Sequence, residues 1–256
     1  MRKNNLISGL GAFVFIISFT FVSVQAQDDE IGDLWLVEEE SVSPSNVADY
    51  IQWGKDFKAL AEADKFQSFF VASENNVYSY AWNLGKTHAG LDEFEEKFQE
   101  WGKANPKLGE LYNKYSYTLD KRTRYLWRHF PKYSYNVDGY DSSENTYVRI
   151  YKAWIKTDKM SDAMAVLEEY LKMNKEANIS RSFNVFFNVF GSDTNCVLFR
   201  STYKDVADWG ASINELNEKV AEEKRQAIFG RWSNVIQKSE DRENWINSEL
   251  TYVNPN

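Results

Sequence analysis

One pattern of large apolar residues occurs twice in this chain and constrains the fold more than any other feature. Each occurrence follows the 3-4-3 spacing that places four side chains on one face of a helix. The two sets are Leu91, Phe94, Phe98 and Trp101, and Val206, Trp209, Ile213 and Leu216. Each member of the second set lies 115 positions after its counterpart. Two stripes at constant separation predict an internal repeat, which restricts the chain to folds made of two similar units.

The segments on either side of the stripes occur in the same order in both halves. Each half begins with a strand and an amphipathic helix, continues with a strand hairpin, and carries a further helix and a short strand after the stripe. Turn-forming residues connect the hairpins, where Asn, Asp and Gly tolerate positive φ. The helices beside the stripes are predicted at about 45–62, 108–119, 160–178 and 227–236, the hairpin turns at 75–76 and 191–193, and the closing strands at 133–136 and 251–254.

Each half therefore has the order β-α-β-β-α-β, with an additional helix before the last strand. This is the order of ferredoxin-like units. We predict an α+β protein of two tandem ferredoxin-like (βαββαβ) repeats, at 27–137 and 146–256, joined by a polar linker at 138–145.

This order and the repetition resemble the dimeric α+β barrel superfamily, which includes antibiotic-biosynthesis-monooxygenase-like, stress-responsive barrel and NIPSNAP-like proteins. The resemblance rests on element order over nearly all of the chain after residue 26. It implies a pseudo-dimeric α+β barrel, in which the two sheets face each other within one chain. Members of the superfamily range from cofactor-free oxygenases and haem enzymes to binding proteins. No residue motif of any one of them occurs, so no active site is carried over.

Residues 1–26 have the three parts of a secretory signal peptide. Arg2 and Lys3 precede an apolar run at 10–24, and small residues precede the expected cleavage after Ala26. The run is shorter than the ~20 residues of a membrane span, so we expect no membrane attachment after cleavage. We predict bacterial export to the periplasm or the medium. The net charge of −8 makes nucleic acid an unfavourable partner.

Aromatic and amide side chains alternate along the predicted hairpins, and we predict that they face the barrel interior. Aromatic walls with a few amide groups are typical of pockets for small molecules. The predicted ligand-binding residues are Phe69, Tyr80 and Trp82 in the first half, and Asn184, Phe186, Asn188 and Phe199 in the second. The alternative is that these aromatic rings only fill the space between the sheets. The opposite face, which includes Cys196 and Leu198, is predicted to pack on the helices, with Cys196 as a small buried apolar residue.

No motif predicts a metal or a cofactor. Glu38, Glu39 and Glu40 alternate sides along a strand, so they cannot converge on one ion, and they favour a solvated strand end. His129 lies in a cationic stretch at 121–132, which is typical of a helix end neutralised by nearby carboxylates. The same stretch could instead hold an anion, or a haem with His129 as axial ligand.

Three functions are consistent with this sequence. The favoured one is a binding protein, without enzyme activity, that takes a small apolar or aromatic molecule in the barrel. The others are a cofactor-free oxygenase or haem-binding enzyme, and a structural or interaction protein of the cell envelope. Because a fused pair closes the barrel internally, we expect a monomer with an internal pseudo-twofold axis.

Overall fold

The structure is a computed structural model that describes residues 31–190 and 195–255. The predicted signal peptide at 1–26 and the second hairpin turn at 191–193 lie outside the described residues. None of the helices in the described ranges combines the length and the hydrophobicity that crossing a membrane requires.

The order β-α-β-β-α-α-β occurs twice along the chain. The first half contains β1 (Leu34–Val42), α1 (Val47–Ala63), β2 (Phe70–Glu74), β3 (Val77–Gly85), α2 (Ala89–Ala104), α3 (Pro106–Tyr115) and β4 (Leu119–His129). The second half contains β5 (Tyr147–Ile155), α4 (Met160–Glu176), β6 (Asn184–Phe190), β7 (Cys196–Tyr203), α5 (Val206–Lys219), α6 (Glu222–Val235) and β8 (Ile236–Ile246). The two stripes lie on α2 and α5, as predicted.

The last strand of each half lies earlier than the sequence predicted. β4 and β8 follow directly after α3 and α6, whereas the segments 133–136 and 251–254 make only isolated bridges, Tyr135 to Phe183 and Tyr252 to Phe69. Both strands are rich in charged residues, and many of these pair with the neighbouring strand: Arg122 and Arg124 with β1, and Asp241 and Glu243 with Arg149 of β5. A search for apolar strand segments therefore missed them.

All eight strands form one closed barrel in the order β1-β3-β2-β8-β5-β7-β6-β4. Every pair of neighbours is antiparallel. The two halves join at two places, where β2 pairs with β8 and β4 pairs with β6. The helices of each half cover the outside of its own part of the sheet, so the protein has a lumen and two outer helix–sheet layers.

Successive side chains of β1 face opposite sides of the sheet. Leu34 and Leu36 pack against α1 in the first outer layer, whereas Trp35 and Val37 face the lumen. Asn75, at φ 52°, forms the turn of the first hairpin, as the sequence predicted.

The three glutamates of β1 follow the same alternation. Glu38 and Glu40 face the outer layer, where Arg124 and Arg122 pair with them. Glu39 faces the lumen. The prediction that they cannot converge on one ion is confirmed, but the predicted solvated strand end is wrong, because Glu38 and Glu40 are buried beneath the helices.

Candidate functional site

A cavity of about 450 Å³ lies in the outer layer of the second half. We call it the helix–sheet cavity. It lies between the outer face of the sheet and helices α4, α5 and α6. Its walls are mainly aromatic and aliphatic, and include Tyr151, Val166, Tyr170, Phe199, Trp209 and Trp232.

In the first half, aromatic rings occupy the corresponding layer. Trp53 of α1 stacks on Phe57 with 5.5 Å between ring centroids, and meets Tyr80 at 6.0 Å and Tyr112 at 5.7 Å. Position 166, which lies 113 residues after Trp53, is a valine. Smaller side chains at matching positions leave space that the surrounding structure does not fill.

At two further pairs of matching positions, a large residue of the first half corresponds to a smaller residue of the second half. Ala163 of α4 lies 113 residues after Tyr50, and Leu216 of α5 lies 115 residues after Trp101. All four side chains are buried. Leu216 lines the cavity together with Val166, so smaller residues at these two positions leave part of its space.

Polar groups are few in this cavity and lie among the rings. Arg181 donates from Nη2 to the hydroxyl of Tyr170 at 2.9 Å, and forms no ion pair within the described residues. Arg149 pairs with Asp241 at 2.5 Å and lies 4.4 Å from the ring centroid of Trp209. The cavity thus offers apolar walls for a flat ring, and donors for an oxygen atom of a ligand.

Groups that could transfer a proton are scarce at this site. Among the residues that line the cavity, Asp241 is the one carboxylate, and its charge is already paired with Arg149. The arrangement is better suited to holding a molecule than to removing a proton from it.

A second cavity, of about 360 Å³, lies inside the barrel. We call it the lumen cavity. Trp35, Trp127 and Phe186 form aromatic parts of its wall, and Arg200 of β7 enters it as the one charged side chain among the lining residues.

The predicted ligand-binding residues do not share one face, and the predicted placement is wrong for four of them. Phe69, Tyr80 and Trp82 lie in the outer layer of the first half. Phe199 faces the second outer layer, where it lies 5.8 Å from Trp232 and lines the helix–sheet cavity. Ligand binding by these residues stays a prediction.

The remaining three predicted residues lie on the inner side of β6. Phe186 lines the lumen cavity. Asn184 lies near the ring of His129 and opposes the lowering of its pKa, and Asn188 donates to the carbonyl of Phe190 at 3.3 Å. The sequence therefore assigned the inner face of β6 correctly.

The error came from the register of the paired strands. Phe186 lies opposite Leu198, and residues opposite each other share a face. Cys196 and Leu198 therefore face the lumen and not the helices, although Cys196 is buried as predicted. A shift of one residue in a strand moves every side chain to the other face.

His129 ends β4 and lies beside Phe186, with ring centroids 5.1 Å apart. Its Nε2 lies 3.0 Å from the hydroxyl of Ser134, which donates to the carbonyl of Phe130 at 3.0 Å and accepts from the backbone N–H of Val185 at 2.9 Å. This pattern assigns the proton to Nε2. Burial lowers the pKa of His129 below its usual 6.5, against the opposing effects of Asn184 and Asp33, so the ring is neutral at pH 7.

These contacts do not fit an axial haem ligand. Nε2 is occupied by Ser134, and a Cβ atom at Gly32 would lie only 2.7 Å from Nδ1, so neither nitrogen faces open space. The helix end predicted for this stretch is also wrong, because 121–129 belongs to a strand. The predicted neutralisation by nearby carboxylates is correct for Arg122 and Arg124. No group of three or more metal-ligating side chains occurs within residues 31–190 and 195–255.

The sequence matches no protein-family model, and it matches no curated protein. Three solved structures share its architecture. An anthrone oxidase-like protein superimposes with a TM-score of 0.55 at 10% identity, over 84% of this chain and 91% of the other. This chain has the dimeric α+β barrel fold.

Two further structures support the same fold. A proposed monooxygenase from Lactobacillus acidophilus has a TM-score of 0.52 at 7% identity, over 84% of this chain and 93% of the other. A second proposed monooxygenase, from Fusobacterium nucleatum, has a TM-score of 0.51 at 9% identity, over 84% and 92% of the two chains. The resemblance predicted from element order is therefore confirmed at the level of the fold.

Proposed function

We propose that the protein binds a small aromatic molecule in the helix–sheet cavity. The observation that carries this proposal is the difference between the two outer layers of one chain. Trp53 and its neighbouring rings occupy the first layer at the place where the second layer is open around Val166.

The walls indicate the class of ligand. Rings of Tyr170, Phe199 and Trp232 favour a flat aromatic body. Arg181 donates to the hydroxyl of Tyr170 and forms no ion pair in the described part of the chain, and its guanidinium favours a carbonyl, hydroxyl or acidic group on the ligand. The ligand class expected from the sequence is therefore kept, and its proposed place moves from the barrel interior to the second outer layer.

Substitution of Val166 by Trp tests this proposal with a residue that the first half already uses at the matching position. Anthrone, a flat three-ring ketone, serves as the probe, and quenching of tryptophan fluorescence reports binding because Trp209 and Trp232 line the cavity. We expect Val166→Trp to weaken anthrone binding at least tenfold, since the new ring occupies the space. Ala165→Trp, on the exposed face of the same helix, is the matched control. A folded Val166→Trp variant that binds anthrone as tightly as the wild type refutes the proposal.

A second candidate is a cofactor-free oxygenase acting on the same aromatic ligand. What favours it is that the three similar structures are described as an anthrone oxidase-like protein and two proposed monooxygenases. Oxygen consumption with anthrone, measured with an oxygen electrode, separates the two functions. Uptake above the rate in buffer that Val166→Trp abolishes would favour the oxygenase, and binding without uptake favours the binding protein.

We further propose that the two halves are repeats of one ferredoxin-like unit and that the chain acts as an exported monomer. The closed barrel supports the monomer, because both sheets come from one chain. Sedimentation of the mature protein at several concentrations tests it. A mass that doubles with concentration contradicts a monomer.

A further inference from the structure

The lumen cavity is separate from the helix–sheet cavity, and it contains one charged side chain. Most of its wall is apolar, with Trp35, Trp127, Ile150 and Phe186 among the lining residues. Arg200 projects into this wall from β7, on the same face as Leu198 and Thr202, which also line the cavity.

Other cations of the lumen have carboxylate partners. Lys152 lies 2.9 Å from Glu39, and Arg242 lies 3.2 Å from Glu39 and also pairs with Glu240. Arg200 is different, since it makes no hydrogen bond and no ion pair within residues 31–190 and 195–255.

The strands beside Arg200 offer it no negative charge. The residues opposite it are Ile150 on β5 and Asn184 on β6. Arg200 is half-buried, and its partial withdrawal from water lowers the pKa of the guanidinium. A guanidinium nevertheless stays protonated at neutral pH, so the cavity holds one uncompensated positive charge.

A half-buried cation without a counter-charge is unfavourable, so binding of an anion beside Arg200 stabilises the folded protein. A guanidinium donates two parallel hydrogen bonds to a carboxylate. Hydroxyl groups of Ser79 and Thr202 line the same cavity and can donate further hydrogen bonds to the carboxylate oxygens. Aromatic rings on the wall suit a flat apolar body, and a single cation suits a single negative charge.

We propose that the lumen cavity binds a small aromatic carboxylate, with Arg200 holding the carboxylate group. The ligand enters at the edge formed by β2 and the segment 138–145. Phe70 lines the cavity there and is 43% exposed, and Ser142 and Asn145 complete the same edge. This site is independent of the one proposed for anthrone, because Arg200 faces the lumen and Val166 faces the outer layer.

The test uses 2-naphthoate and its neutral analogue 2-naphthamide, with affinities measured by titration calorimetry on the chain from residue 27. We expect naphthoate to bind at least tenfold more tightly than naphthamide. Arg200→Gln should weaken naphthoate binding at least tenfold and remove the preference for the anion. Arg231→Gln, which removes an exposed cation of α6 that lines neither cavity, is the matched control and should leave naphthoate binding unchanged. Equal binding of naphthoate to Arg200→Gln and wild type overturns the proposal.

A competition experiment on the wild-type protein keeps the proposal testable if Arg200→Gln does not fold. Naphthoate and anthrone should bind together, since they occupy different cavities. Displacement of naphthoate by anthrone would place both in one cavity and overturn the inference. Failure of anthrone to bind, with naphthoate binding intact, would instead count against the helix–sheet cavity alone.

Discussion

Glu39 joins two cations in the barrel lumen, and its replacement by Gln tests whether this cluster stabilises the barrel. Its carboxylate oxygens lie 2.9 Å from Lys152 Nζ and 3.2 Å from an Arg242 guanidinium nitrogen. The Glu39 side chain is only 14% exposed and that of Lys152 only 6%, so water screens the pair weakly. Gln keeps the shape and removes the charge.

The expected loss in the free energy of unfolding is the balance between ionic attraction and desolvation. At an effective dielectric constant of ~20, each of the two contacts is worth about 5 kcal/mol of attraction before desolvation. Desolvation of each ion opposes this by several kcal/mol, and removal of one partner from a buried pair typically costs about 3–5 kcal/mol. Arg242 keeps Glu240, and Lys152 lies 5.0 Å from the ring centroid of Tyr125. We therefore expect the lower end, about 3 kcal/mol, or roughly 6–12 °C in melting temperature for a chain of this size.

The loss should depend on pH. Burial, the largest single effect, raises the pKa of Glu39, but the combined attraction of Lys152 and Arg242 lowers it below the usual 4.5. A carboxylate with a lowered pKa contributes stability that is complete above its unfolded-state pKa and is lost as the pH falls through its folded-state pKa. The gap between wild type and Glu39→Gln should therefore narrow as the pH falls below 4.5.

Urea denaturation at pH 7 and at a series of values down to about pH 3.5 measures this gap. The double variant Glu39→Gln with Lys152→Gln should recover part of the lost free energy of unfolding, because one unpaired cation is removed with its partner. A Glu39→Gln variant within about 1 kcal/mol of wild type at pH 7, or a gap that stays constant through the acidic range, refutes the reasoning.

Two further predictions concern stability. Gly90→Ala should lower the free energy of unfolding by about 2–4 kcal/mol, because a Cβ atom would lie 1.9 Å from the carbonyl oxygen of Leu84. Its control, Gly109→Ala on α3, places the Cβ atom in open space and should be neutral or stabilising. Urea denaturation measures both variants, and equal stability would contradict the prediction. Arg200→Met should stabilise the ligand-free protein by about 1 kcal/mol, since it removes a half-buried cation that has no carboxylate partner in the described part of the chain. A lower melting temperature for Arg200→Met would show that the charge has a partner.

Helices were predictable because their signal is local. The stripe on α2 needs only four residues of one segment, and α1 and α4 were placed within two residues of their observed bounds. The turn at Asn75 was predictable for the same reason, since a positive φ at this position depends on the residue itself.

The charged strands and the strand faces were not predictable, because both depend on neighbours. β4 carries Arg122 and Arg124, which become favourable in a strand only beside Glu40 and Glu38 of β1. The face of Phe199 depends on its register with β6, which no periodicity reveals. Whether Arg200 has a carboxylate partner also depends on the neighbouring strands, so the sequence could not predict it.

Because β8 closes the barrel, the first half cannot complete its strand pairing until the end of the chain has been synthesised. β2 is made early, yet Ala72 pairs with Ile246 near the end of the chain. Until β8 leaves the ribosome, that edge of the first half keeps N–H and C=O groups that can pair with other chains. Pairing across such a distance is slow to form. A nascent chain would therefore need protection at β2, and a fragment that ends at residue 137 should associate with a second copy of itself.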